Sequence, residues 1–350
     1  MPSPDPQPDL FGAPAAAGVE AASVDPEHAA LAARLGPLLH LGTSSWHFPG
    51  WAGLVWARAE AESTLSRRGL EAYSRHPLLR TVSVDRSFYR PLDAREFAAL
   101  AAQVPEAFRF VVKAPARVCD ASIRDAGTGQ VLRDNPLFLE PEAVVDLAWR
   151  PVARGLAAKL GSLVLQISPV PARWLRDPTR FLRALDRALG AIVEADREAQ
   201  GRVGVELRNP ELLGPELCDV LRRHGARYVA SLHDRMPPLE AQLPMLRALW
   251  PGPLVVRWNL QRGLRYDAAK DRFAPFDRLA APDEPTRLAL AQLVAATLAA
   301  GLPAFVTINN KAEGSAPRSV VALAAAIDAR LAGLQFHESP PQPPRATVGS

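Results

Sequence analysis

Residues 304–320 read Ala-Phe-Val-Thr-Ile-Asn-Asn-Lys-Ala-Glu-Gly-Ser-Ala-Pro-Arg-Ser-Val. An apolar, β-branched run ends in a polar turn. A glycine follows, and then Ser315 and Pro317 open a helical pattern carrying Val320, Leu323, Ile327 and Leu331. A run of this kind is a buried strand, and the spacing after it is the apolar face of a helix. The fold needs the strand and the helix. It has little need for Asn309, Asn310, Lys311 and Glu313 in the turn, because short connections are satisfied by simpler residues. The turn is therefore a site candidate as well as a connection.

The same unit recurs upstream. Strand candidates fall at 38–45, 81–87, 108–114, 163–168, 203–208, 228–233, 254–259 and 304–309. Helical patterns fill most of the gaps, at 95–103, 142–159, 178–195, 215–224, 242–250, 284–300 and 319–332, with a less regular one near 65–74. Eight strands, each followed by a helix, over about 300 residues predict an α/β fold of the (β/α)8 TIM-like type, a single barrel domain over 37–336. An open doubly wound sheet is the alternative, but the first strand–helix turn lacks its glycine fingerprint. Residues 1–36 are rich in Pro and Ala without a sustained apolar period, and 337–350 are rich in Pro. Both are expected to be disordered tails.

Composition excludes several classes. A hydrophobic content of 48% with 22% charged residues is globular. No apolar run approaches the length of a membrane span, and the N-terminus suits neither a signal nor a transit peptide, so a cytoplasmic location and no membrane partner are expected. Two cysteines, Cys119 and Cys218, make no disulfide framework and lack metal-ligand spacing. The net charge of +4 comes almost wholly from scattered arginines. Lysine is rare: Lys113, Lys159, Lys270 and Lys311 are all there are, and two of them stand at strand ends.

Side chains alternate across a strand, so the two faces separate by parity. In a barrel the apolar face meets the helices and the other points to the axis. Asp85, Lys113, Gln166, Glu206, Arg208, His233, Arg257, Asn259 and Asn309 would then converge at the C-terminal mouth, where such barrels bind their substrates. Some of them could instead form an internal ion-pair layer, Glu206 with Arg257 or Lys113 for example. The mouth is slightly cationic, and it adjoins the helix start at Gly314 and Ser315, which favours an anionic small-molecule ligand. Glu206 is the candidate base or charge stabiliser, Lys113 the electrophile or Schiff-base nucleophile, and His233 the proton shuttle, with Asp85 as a second carboxylate. Trp46 and Tyr89 are candidates for an aromatic rim. The sequence leaves any cofactor open, and no metal is expected.

Several segments, taken together, resemble the YecE-like proteins, domain-of-unknown-function family 72. They are Gly42-Thr43-Ser44-Ser45-Trp46 with Gly50-Trp51, then Ser87-Phe88-Tyr89-Arg90, then Phe108-Arg109-Phe110 through Lys113-Ala114-Pro115. Val205-Glu206-Leu207-Arg208-Asn209-Pro210 follows, and then Asn309-Asn310 with Ala312-Glu313-Gly314 and Ala316-Pro317. The resemblance implies a TIM-like barrel over roughly 38–335 and supplies no reaction. Two departures imply an altered substrate or activity. The family's Glu-Ile-Asn-Ser is Ser83-Val84-Asp85-Arg86 here, and its Arg-Leu-His-Gly is Arg257-Trp258-Asn259-Leu260.

The N-terminal tail offers a reading of a different class. Gln7-Pro8-Asp9-Leu10-Phe11 resembles the pentapeptide that binds the bacterial sliding clamp, with Pro8 in place of the usual leucine. Gln7, Leu10 and Phe11 would be the anchors, and a basic mouth would then have nucleic acid as its partner.

Overall fold

The computed structural model describes residues 18–125 and 127–338, with only the backbone for 335–338. Eight parallel strands close into a barrel: β1 (Leu39–Thr43), β2 (Thr81–Val84), β3 (Arg109–Lys113), β6 (Leu160–Gln166), β7 (Val203–Glu206), β8 (Arg227–Leu232), β9 (Leu254–Trp258) and β10 (Ala304–Ile308). Each predicted strand is present, with ends trimmed or extended by a few residues. Closure is made by β1, which pairs with β10 at His40↔Phe305 and with β2 at Gly42↔Thr81. Gly42 is required there, because a Cβ would lie 1.8 Å from the Thr81 carbonyl oxygen. A two-stranded antiparallel hairpin, β4 (Ser122–Arg124) with β5 (Val131–Asp134), is inserted after β3. β5 is exposed throughout, and neither short strand carried an apolar alternation by which to find it.

The helices start where local chemistry lets them. Asp177 accepts the backbone N–H of Arg180 ahead of the Pro178–Ala195 helix, and proline occupies its first position, whose N–H would be unpaired anyway. Phe181, Leu185, Leu189 and Ile192 of that helix repeat at helical spacing and are buried. Asp93 and Glu96 form a capping box at the start of the Ala94–Ala101 helix. The core lies between these helices and the outward faces of the strands. Among the described residues no helix is long and apolar enough to cross a membrane.

One boundary differs from expectation. Within the 1–36 segment, Pro26–Leu35 is a helix capped by Asp25, burying Leu31, Ala32 and Leu35. Arg34 pairs with Asp328 of the last helix, Ala316–Glu338, at 2.8 Å. Its apolar face is short, so helical periodicity alone did not separate it from an alanine-rich tail. The contact with the far end of the chain fixes it.

Candidate functional site

Inside the barrel the side chains lie in layers. Val111, Val164, Val229, Val255 and Phe305 pack together as an apolar plug, and His40 stacks on Phe305 with ring centroids 4.8 Å apart. Two residues further along the same strands come Lys113, Gln166, Ser231, Arg257 and Thr307. Glu206 at the end of β7 and Asp85 just past β2 join them. One step of strand period converts packing into polarity.

Glu206 is the centre of this polar layer and is fully buried. It accepts from Arg257 Nη1 at 2.7 Å, from Ser231 Oγ at 2.8 Å, from Asn259 Nδ2 at 3.3 Å and from Arg208 Nη1. Burial alone would push its pKa up. The charges of Arg208 and Arg257, with the hydrogen bonds, outweigh that and hold the carboxyl well below its ordinary range. Arg257 reaches on to Asp85, donating to both carboxylate oxygens at 2.7 and 2.8 Å. Burial works against its charge too, but the two carboxylates more than compensate and its pKa is raised. Ser231 is itself fixed: its N–H donates to Gln242 Oε1 at 3.1 Å and its carbonyl accepts from Gln242 Nε2 at 3.0 Å. The internal ion-pair layer is thus real for Glu206 and Arg257, and it does not include Lys113.

The two mouth lysines are different. Lys113 and Lys311 are buried as residues, yet neither has a carboxylate oxygen within 4.0 Å among the described residues. The Lys113 ammonium lies 3.5 Å from the Phe88 ring centroid and 5.8 Å from that of Tyr89. The Lys311 ammonium lies 4.1 Å from the Tyr266 ring centroid. Desolvation pushes Lys113 down to about 8, and the Arg257 and Arg208 charges add to it against the pull of Asp85 and Glu206. Lys311 also falls to about 8, through burial and the charge of Lys270, again opposed by Asp85. Tyr89 and Tyr266 are largely exposed and form the aromatic rim.

Other expected residues are placed elsewhere, and those placements are corrections. Trp46 is no rim residue. It is buried, and its Nε1 donates to the Leu65 carbonyl at 3.2 Å. Trp51 and Trp56 of the same loop are buried as well, their rings stacked on each other, so this loop has a packing role. Glu313 does not reach the mouth but is buried against Arg287 and the Asp283 N–H, 2.8 Å away, at the start of the Glu284–Ala299 helix. Asn310 Oδ1 accepts from Ala316 N at 2.8 Å and from Trp51 Nε1 at 3.2 Å, so it caps the last helix. Gly314 has φ +115° and packs its Cα against the backbone of Arg278 and Ala280. Ser315 is buried. The helix N-terminus expected to receive an anion is already filled by protein.

Asn309 is half-buried, with its Oδ1 accepting the Lys311 N–H at 3.0 Å, which sets the turn that presents the lysine. His233 stands beside Asp234, and burial with the Arg208 charge pushes it down to about 4. Phe88, from the segment after β2 expected to join the aromatic wall, does line the mouth beside Lys113, and Tyr266 is the mouth residue that sequence reasoning missed. Tyr266 sits in a charged helix, Tyr266–Phe273, whose pattern gave no sign of its position. Among the described residues no three His, Cys, Asp or Glu side chains group as metal ligands. Gln7, Leu10 and Phe11 lie outside the described residues.

The model of the family described as "Protein of unknown function DUF72" matches residues 40–346. Among solved structures, a DUF72 family protein from Enterococcus faecalis V583 superposes with a TM-score of 0.54 at 17% identity, covering 83% of this chain and 95% of that one. A DUF72 family protein from Thermotoga maritima MSB8 gives a TM-score of 0.51 at 16% identity, covering 84% and 99%. At that identity these structures speak for the fold alone. No curated protein matches the chain.

Proposed function

The chain belongs to the DUF72 family, and from that premise we propose that its barrel mouth binds an anionic small molecule, a carboxylate or phosphate compound, on which it acts as an enzyme. The charge inventory of the mouth carries this reading. Asp85 and Glu206 are both committed to Arg257, and Glu206 to Arg208 as well. That leaves the Lys113 and Lys311 ammonium groups desolvated, next to aromatic rings, with no paired carboxylate. A buried charge without a partner is costly. A bound anion would supply the partner that these amines lack. Asp85 exerts its charge on both amines, so each lies within electrostatic reach of the polar layer.

In this reading the arginines and Glu206 are the rigid frame. Glu206 is held ionised too firmly to donate or accept a proton. Proton chemistry falls to groups that titrate near neutrality, the two lysines, and to His233, which burial keeps neutral at pH 7. Tyr89 and Tyr266 supply a partly apolar rim against the body of the ligand.

The test is thermal melting with inorganic phosphate and a panel of phosphorylated and carboxylated metabolites. A ligand at about 100 times its Kd should add about 2.7 kcal/mol of stability. Lys113→Met and Lys311→Met should each remove most of the shift. Binding should also take up protons near pH 8, because an anion raises both lysine pKa values. The reading fails if no anion stabilises the chain, or if both variants keep the full shift.

A further inference from the structure

Only four of the 41 Lys and Arg side chains are lysine. Lys159 has a structural task, donating to the carbonyls of Ala101 and Val104 at 2.9 and 2.8 Å. Lys270 is exposed on its helix. The other two are Lys113 and Lys311, buried in the mouth. Where the mouth needs only fixed charge it uses arginine, as Arg208 and Arg257 show. A guanidinium is a permanent cation and a poor nucleophile, whereas an amine can lose its proton and attack carbon. Lysine at these two positions, in a chain that otherwise uses arginine, marks a need for an amine.

We propose that Lys113 forms an imine with the carbonyl carbon of an anionic aldehyde or ketone drawn to the cationic mouth. This rests on the reading that the mouth binds an anion. Lys113 ends β3 at the bottom of the mouth, its ammonium against Phe88 and beyond reach of any salt-bridging carboxylate among the described residues. Charged and titratable groups face it from every side: Asp85 after β2, Glu206 and Arg208 at β7, Arg257 on β9 and Cys119 after β3. Their sum with burial leaves the amine titrating at about 8. About one Lys113 in ten is then neutral at pH 7, against roughly one in three thousand for an ordinary lysine.

The step balances without an oxidant or reductant. The neutral Nζ lone pair attacks the carbonyl carbon, the π pair moves to oxygen, and that oxygen takes a proton. The nitrogen then loses a proton, and its lone pair expels the hydroxyl group, which leaves as water once protonated. One C–N double bond is formed and one C–O double bond lost. The protons exchange with solvent, which reaches the mouth beside Asp85, whose side chain is 32% exposed.

The full chain is incubated with glyoxylate and cyanoborohydride, and the product is read by intact mass and peptide mapping. The expected result is a single carboxymethyl addition on Lys113, its rate rising toward pH 8 as Lys113 becomes partly neutral. Acetaldehyde, which has no anion, should react about tenfold more slowly. Lys113→Arg should lower the addition about tenfold or more while keeping the thermal stabilisation by glycolate, the analogue without a carbonyl. Addition confined to Lys270 or the N-terminus, or equal rates with acetaldehyde, overturns the imine. Stabilisation by glycolate with no addition on Lys113 also overturns it but leaves the anion-binding reading standing. No stabilisation and no addition remove both. The mapping on the unaltered chain decides the matter even if a variant fails to fold.

Discussion

Two layers of the barrel interior, one residue pair apart on the same strands, follow opposite rules. The lower layer is Val111, Val164, Val229, Val255 and Phe305, closed and apolar. The upper layer is Asp85, Lys113, Glu206, Ser231 and Arg257, equally buried for the most part and almost wholly polar. The lower layer is stabilised by removing area from water, so it needs shape and no partners. The upper layer is held by a few directed contacts around Glu206, each of which strands a charge if one partner is lost. Burial by itself therefore says nothing of a residue's role here. What separates the layers is whether every charge has been matched, and at Lys113 and Lys311 it has not.

The largest effect should come from Glu206→Gln, which leaves Arg208 without its carboxylate and Arg257 with Asp85 alone. A loss of about 3–5 kcal/mol in urea unfolding at pH 7 is expected. A loss under about 1 kcal/mol would mean that the polar layer is not held by charge.

Lys113→Met should act in the opposite direction, because it removes a desolvated charge. Lys113 titrates at about 8 when folded and 10.5 when unfolded, so its penalty is complete below pH 8 and fades as the pH rises to 10.5. The variant should gain on the order of 3 kcal/mol at pH 7, and the gain should shrink across that window. A gain that does not vary with pH would point to improved packing instead.

In the lower layer, Val164→Ala should cost about 2 kcal/mol through lost methyl groups and the space they leave. That cost should not vary with pH, and phosphate should stabilise the variant as it does the parent. The smallest effect concerns His40, which burial, with the Arg109 and Arg80 charges, pushes down to about 4. Its Nδ1 is buried without a hydrogen-bond partner. The unfolded chain takes up a proton there at about pH 6.5 and the folded chain only near 4, so stability should fall as pH drops between those values. His40→Leu should remove about 1–2 kcal/mol of the loss at pH 5. An unchanged acid limb in chemical unfolding would count against a neutral histidine in the plug.

Much of the architecture was legible because strands and helices report themselves in short windows. The runs at 108–114 and 254–259 are apolar and β-branched on one parity, and both became barrel strands at those positions. The same parity brought Lys113, Glu206 and Arg257 together correctly. It could not say which charges pair, because the partners are far apart in the chain: 51 residues for Glu206 with Arg257, and 172 for Asp85 with Arg257. Nor could it separate Lys311 from Glu313. Two residues apart in one turn, they look alike as polar loop residues, yet Glu313 is spent on Arg287 at the start of a neighbouring helix. Asn310, which looked like a ligand contact, is a cap that reaches Trp51, 259 residues away.

The repeating strand–helix order, the inward parity and the end of the barrel where polarity collects all follow from spacing within a few residues of chain. Tertiary structure alone decided which of the collected groups are already satisfied. That is a matter of distances between strands remote in the chain and of how much water remains around each charge. Residues 309–315 show the division plainly: the sequence marked the turn as a site, and the folded barrel left Lys311 as its one member facing the mouth with an unpaired charge.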